Sequence, residues 1–243
     1  MRRPIAASVA VLAIAVAGSA SGAKTVPDKA ASLVRELKEA SGGAALDRPD
    51  GFHESGTLTR DGSAGVYEYW GDLRTLRSLG SHTIAGQTSI GGFDGRQAWS
   101  VDSNGKVLID ASPKGLRAAR LGAYVSIGGY FYPDRFPAAF SYQGRRRHAG
   151  LVYDVIAVTP KDGDTAELWL DAKTHRLMRI SAEADGVKTS GDILRYQIVD
   201  GTWIGFSLAN KEGVHQMSQQ LTHYVYGPVD AARFSAPEPS APR

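Results

Sequence analysis

Cysteine is absent from the 243 residues of this chain, and its absence excludes three kinds of chemistry. The chain has no thiol nucleophile, no disulfide to stabilise it in an oxidising compartment, and no cysteine to carry a lipid anchor. Motifs for other catalytic groups are also missing, among them the G-x-S-x-G nucleophile elbow and the H-E-x-x-H zinc motif. The sequence therefore predicts no catalytic residue, and we expect that the protein is not an enzyme.

Signals for a metal or a cofactor are absent as well. The six histidines are scattered, and His215 and His223, which share one face of a predicted strand, would lie roughly 26 Å apart. That separation is too long for one metal ion. Residues 86–91 begin like a phosphate-binding loop, but Gly92 and Phe93 stand where Lys and Ser or Thr are required. We expect neither a metal nor a cofactor.

Long hydrophobic runs are absent beyond the N-terminus. Residues 5–17 are predominantly apolar, follow the basic pair Arg2 and Arg3, and precede a small-residue site that ends at Ala23. This pattern predicts a cleaved signal peptide over residues 1–23, with cleavage after Ala20 as the second choice. The run is too short for a comfortable membrane span. We therefore expect a periplasmic or secreted protein.

The excess of positive charge is small. The formal net charge of +3 falls to +1 when residues 1–23, which carry two arginines and no acidic residue, are removed. A charge this small gives no reason to expect a nucleic-acid partner. The one basic cluster, residues 145–148, is predicted to be the solvated end of a hairpin. The alternative is contact with an anionic partner such as a lipid headgroup.

The rest of the chain has the pattern of one β-rich domain, residues 24–236, followed by a proline-rich, disordered tail, residues 237–243. Residues 27–40 predict a helix with one apolar stripe. From residue 52 onward the hydrophobic period is two, and about a dozen predicted strands are more than a flat sheet tolerates. The expected fold is mainly β (α+β), a strongly curved antiparallel sheet or incomplete β-barrel with an N-terminal helix.

Asn104-Gly105 is the clearest turn signal in the chain. The dipeptide separates two runs of β-forming residues, 96–101 and 106–110. Because Asn and Gly adopt positive φ at low cost, the pair predicts a two-residue type I′ hairpin turn.

A second predicted helix opens at Ser112-Pro113, and a segment dense in aromatics and prolines, residues 130–140, follows it. Two interpretations of this segment remain open. It is either a structural plug packed on the sheet or a lid over an apolar cavity. The candidate ligand-binding residues are Trp99, Tyr130, Phe131, Phe136, Phe140 and Trp169.

Three sequence blocks resemble a known family. The block 169–177, followed by Met178-Arg179-Ile180, resembles the hairpin and basic strand that recur in the LolA/LolB superfamily of periplasmic lipoprotein carriers. Blocks 92–105 and 200–206 are similar to the LolA-like regions that precede aspartyl protease domains in secreted bacterial proteins. No Asp-Thr-Gly or Asp-Ser-Gly is present, so the resemblance does not imply protease activity.

The resemblance implies a non-catalytic binding protein that holds a lipid or acyl chain in the concave face of a half-barrel. Burial of each methylene group contributes about 0.8 kcal/mol, so an apolar groove binds acyl chains without charged contacts. The expected partners are a lipid, an acylated protein such as a lipoprotein, or an envelope protein, with transient membrane contact and a monomeric state. The alternative is an envelope protein-interaction or regulatory module without a lipid. A hydrolase whose site assembles across space is the weaker alternative.

Overall fold

One antiparallel sheet contains all the β-strands in the part of the chain that the computed structural model describes, residues 27–184 and 186–238. The thirteen strands of these residues are β1 (Gly51–Arg60), β2 (Ser63–Asp72), β3 (Arg77–Ile84), β4 (Gln87–Phe93), β5 (Ala98–Val101), β6 (Val107–Asp110), β7 (Ala138–His148), β8 (Leu151–Pro160), β9 (Ala166–Asp171), β10 (Leu177–Ala184), β11 (Val187–Val199), β12 (Thr202–Glu212) and β13 (His215–Tyr226). Their order is β6-β5-β4-β3-β2-β1-β13-β12-β11-β10-β9-β8-β7. The curved sheet ends at β6 on one side and β7 on the other, and it does not close.

The first and last strands meet in the middle of the sheet. β1 pairs antiparallel with β13, with Phe52 opposite Tyr226 and Glu54 opposite Tyr224. On its other side β1 pairs with β2, which places Glu54 opposite Tyr69. Residues from the two ends of the folded chain therefore lie side by side at the centre of the sheet.

The two α-helices of the described residues cover one face of the sheet, which we call the concave face. They are α1 (Pro27–Ser41) and α2 (Pro113–Ser126), and shorter 3-10 helices span Gly43–Asp47, Gly129–Phe131 and Ala231–Phe234. α2 and Gly129–Phe131 lie between β6 and β7 in the chain, so this connection joins the two edges of the sheet. It must therefore cross the sheet, and its buried residues join those of α1 in the main core.

The local signals for both helices are confirmed. Leu33 and Leu37 of α1 are fully buried, as the predicted apolar stripe requires. At the start of α2, Ser112 Oγ accepts a hydrogen bond from the Gly115 backbone N–H at 3.0 Å, and Pro113 follows as the first helical residue. Such a cap satisfies a backbone donor that the helix itself leaves unpaired.

The hairpin at Asn104-Gly105 differs from the prediction in its turn type. Gly105 has φ of +80°, but Asn104 does not have positive φ. The Gly105 N–H donates to the Asp102 carbonyl at 2.9 Å, and Asp102 pairs with Lys106, so the loop has three residues. The Asp102 carboxylate accepts from the Asn104 and Lys106 backbone N–H groups, which stabilises this longer loop.

The predicted fold class is confirmed, but the sequence pattern did not reveal β7. Residues 130–140 are not one loop, because Phe140 belongs to this edge strand. The basic cluster 145–148 ends β7 at a hairpin turn, where Arg145 pairs with Asp154 at 3.1 Å and Arg146 with Glu167 at 2.9 Å. The strand was not predicted, because prolines flank Phe136 and the residues that follow do not alternate regularly between apolar and polar.

The predicted signal peptide, residues 1–23, and residues 239–243 of the predicted tail lie outside the described residues. Among the helices that are described, none has the length and apolarity needed to span a membrane.

Candidate functional site

A cavity of about 530 Å³ lies on the concave face, between the sheet and α2. Strands β1–β4 and β10–β13 contribute to its wall, together with α2 and the turn Gly129–Phe131. This size falls within the range of pockets that bind small molecules. We call it the concave cavity.

Apolar side chains form most of the wall. Examples are Phe52 on β1, Leu121 on α2, Ile180 on β10, Ile193 on β11 and Leu208 on β12. Because the strand residues among these alternate with outward-facing ones, the period of two in the sequence produces a largely apolar surface on the concave face.

Glycines in the wall leave room for neighbouring side chains. A Cβ atom on Gly80 would lie 3.1 Å from the Tyr69 ring, and one on Gly191 would lie 2.6 Å from the Asn210 side-chain oxygen. Both glycines line the concave cavity. The side chains of Tyr69 and Asn210 therefore occupy space that a larger residue at either position would take.

Three consecutive aromatic residues, Tyr130, Phe131 and Tyr132, close one end of the concave cavity. Tyr130 is buried and packs edge-on against Phe131, with ring centroids 4.6 Å apart. The Tyr132 hydroxyl donates to the Leu46 carbonyl at 2.8 Å, which ties the segment to the turn after α1. Tyr130, Phe131 and Tyr132 all border the cavity. Of the three, only Phe131 is partly exposed.

Charged and polar groups lie at the other end of the cavity, near the turns that join β1 to β2 and β12 to β13, which we call the hairpin tips. Arg60 lies 3.8 Å from the Glu212 carboxylate, and His215 lies 2.7 Å from Asp61. Arg60, His82, Glu212 and His215 border the cavity. Burial, and then the charge of Arg60, lower the pKa of His82, so its imidazole is neutral at neutral pH.

An isolated carboxyl group lies between these two ends. Glu54 borders the concave cavity and is flanked across the sheet by Tyr69 and Tyr224. Its side chain is partly buried and borders the cavity. Burial raises the pKa of Glu54 to about 7. No nearby cation offsets this effect among the described residues.

The two tryptophans among the predicted site residues lie away from this cavity. On β5, Ala98 packs against α2, and Trp99 points to the opposite face, where its indole N–H donates to the Phe234 carbonyl at 2.8 Å. On β9, Leu168 joins the main core, and Trp169 lies on the opposite face, 5.2 Å from the Arg146 guanidinium. Neither indole borders the concave cavity.

Phe136 and Phe140 also lie outside the cavity wall. Phe136 is buried in the main core beside Tyr132, and Phe140 packs against that core from β7. Of the six predicted site residues, the structure thus brings Tyr130 and Phe131 together at the cavity.

Sequence reasoning missed Glu54, Tyr69 and Tyr224. A signal was present, because Phe52, Glu54 and Leu58 alternate on one face of a predicted strand, and an acid within such a series is unusual. The pairing of β1 with β13, which adds Tyr224, has no counterpart in the local pattern.

The described residues hold no group of three or more acidic or histidine side chains placed to bind a metal ion. The polar groups at the hairpin tips form exposed or half-buried pairs, and ion pairs of this kind are common on protein surfaces.

No protein-family model matches the chain. No curated protein matches it either.

Solved structures do share its fold. A LolA superfamily protein from Nitrosomonas europaea has a TM-score of 0.56 and 11% identity, covering 88% of this chain and 98% of that one. A DUF1329 family protein from Desulfovibrio piger has a TM-score of 0.54 and 13% identity, covering 86% and 97%. A candidate outer membrane lipoprotein-sorting protein domain from Vibrio parahaemolyticus has a TM-score of 0.53 and 12% identity, covering 82% and 93%. The chain therefore has a LolA-like fold.

Proposed function

We propose that this protein is a non-catalytic periplasmic or secreted binding protein that holds a lipid or acyl chain in the concave cavity. The observation that carries the proposal is the cavity itself, about 530 Å³ with a mainly apolar wall, in a sheet that does not close. Each methylene group that enters it contributes about 0.8 kcal/mol. An acyl chain therefore needs no charged contact to bind there.

The LolA-like fold supports this proposal and suggests the partners. The protein would act as a monomer that takes its ligand from a lipid, or from an acylated protein such as a lipoprotein, during transient contact with a membrane or an envelope protein. Because of the sequence likeness in blocks 92–105 and 200–206, we further propose that it is related to the LolA-like regions that precede aspartyl protease domains.

Phe131 provides the test, because it is the partly exposed aromatic at the closed end of the cavity. We expect Phe131→Ala to weaken binding of the uncharged fluorophore N-phenyl-1-naphthylamine about tenfold, since one lost aromatic contact is worth about 1.4 kcal/mol. Fluorescence titration of the purified protein measures the change. Phe140→Ala is the matched control, because Phe140 packs on the same core but lies outside the cavity wall.

A solid plug predicts the opposite pattern. In that case Phe131→Ala would cost about 3–5 kcal/mol of unfolding free energy and leave binding by the folded protein unchanged. Failure of the wild-type protein to bind the fluorophore or any acyl ligand would exclude the proposed function and favour an interaction module.

A further inference from the structure

Glu54 is a carboxyl group in a place where apolar residues are expected. It follows Phe52 on the concave side of β1, and its strand neighbours on that side are Tyr69 and Tyr224. Within residues 27–184 and 186–238, its carboxylate forms no hydrogen bond or ion pair. A polar group in an apolar setting costs free energy unless a partner satisfies it.

The titratable groups around Glu54 do not neutralise it. They are tyrosines, Tyr67 and Tyr69 on β2 and Tyr224 on β13. Burial is the main cause that raises the pKa of each, and the charge of Glu54 adds to it. From α2, Ser126 reaches the cavity without a charge. Arg60, six residues along the same strand, is roughly 20 Å away at the rise of an extended chain. Its nearer partner is Glu212.

The neighbouring His53 does not reach the carboxylate either. It lies on the opposite face of β1, stacked on Trp70 with ring centroids 4.6 Å apart. The carboxyl oxygens of Glu54 therefore face the interior of the cavity, where only water or a bound ligand is left to hydrogen-bond them.

We propose that Glu54 determines which lipids the concave cavity accepts, by selecting ligands whose polar group donates a hydrogen bond or carries a positive charge beside the acyl chain, and by rejecting carboxylates. The inference rests on the proposed function and assigns it a ligand chemistry. A hydroxyl, amide or ammonium group satisfies the carboxyl oxygens. A fatty-acid carboxylate instead places two like charges in an apolar site, where their repulsion disfavours binding.

The test compares three probes with the same twelve-carbon chain: 1-monolaurin, dodecylamine and laurate. Each is titrated below its critical micelle concentration at pH 8, where both Glu54 and laurate are ionised, and displacement of N-phenyl-1-naphthylamine is measured. We expect monolaurin and dodecylamine to bind the wild-type protein at least about tenfold more tightly than laurate. Glu54→Gln should reduce this preference to about twofold, because the amide has no charge to repel laurate.

Glu212→Gln is the matched control, because Glu212 also borders the cavity but pairs with Arg60 at the hairpin tips. It should keep the wild-type order of affinities. Glu54→Met gives a second variant of similar length, which should also bind laurate better than the wild-type protein does. Thermal melts show that each variant is folded.

The outcomes separate the two proposals. If all three probes bind the wild-type protein equally, or if Glu54→Gln leaves the preference unchanged, the cavity binds lipids but Glu54 does not select them. If no probe displaces the fluorophore from any variant, the proposed function fails, and the role of Glu54 fails with it.

Discussion

Among single residues, Glu54 gives the chain a specific dependence of stability on pH. A glutamate carboxyl ordinarily has a pKa of 4.5, and burial raises the pKa of Glu54 to about 7 in the folded protein. Between these values the folded state binds more protons than the unfolded state does. The contribution of Glu54 to stability is therefore greatest below pH 4.5 and is lost as the pH rises through 7.

We accordingly predict that Glu54→Gln is more stable relative to the wild-type protein at pH 8 than at pH 5. The difference should be about 1–3 kcal/mol. This is less than the free energy that corresponds to the whole pKa shift, because solvent in the cavity screens the partly exposed side chain. Urea unfolding of both proteins at the two pH values measures it. Parallel pH profiles for the two proteins would show that the carboxyl is solvated and not desolvated.

Among elements, the β5–β6 hairpin tests how far local turn chemistry stabilises the sheet. Gly105 has φ of +80°. We expect Gly105→Val to lower the unfolding free energy by about 1–2 kcal/mol, because a β-branched residue resists this conformation. Gly105→Asn is the control and should cost less, since Asn tolerates the left-handed region. Equal urea midpoints for the wild-type protein and the Val variant would contradict the turn assignment.

The elements also show where sequence reasoning succeeds. α1 and the turns at Asp61-Gly62 and Asp200-Gly201 were predictable, because their signals lie within a few residues. β7 was missed, because prolines around Phe136 resemble a loop and its pattern is mixed. As the edge strand β7 pairs only with β8, its sequence is less constrained than that of a central strand.

For the protein as a whole, one measurement tests signal cleavage, the oligomeric state and the presence of a bound lipid together. We predict that a native mass spectrum of the exported protein shows a monomer that begins at Lys24, or at Ser21, with a lipid bound. The apolar run at the N-terminus gives the expected cleavage, and the concave cavity gives the place for the lipid. A mass that includes Met1 would contradict export by signal cleavage, and spectra without any lipid adduct would weigh against the carrier function.

Most of the strands, most of their turns and both helices were predictable from the sequence, because alternation, caps and Asp-Gly pairs act between near neighbours. The absence of cysteine chemistry was equally plain from it. Which face of each strand became concave depends instead on the tertiary fold. Trp99 and Trp169 are apolar residues among apolar neighbours, so a period of two does not say which side is buried. The lone position of Glu54 likewise depends on pairing between β1 and β13, which joins residues about 170 positions apart and which no local pattern encodes.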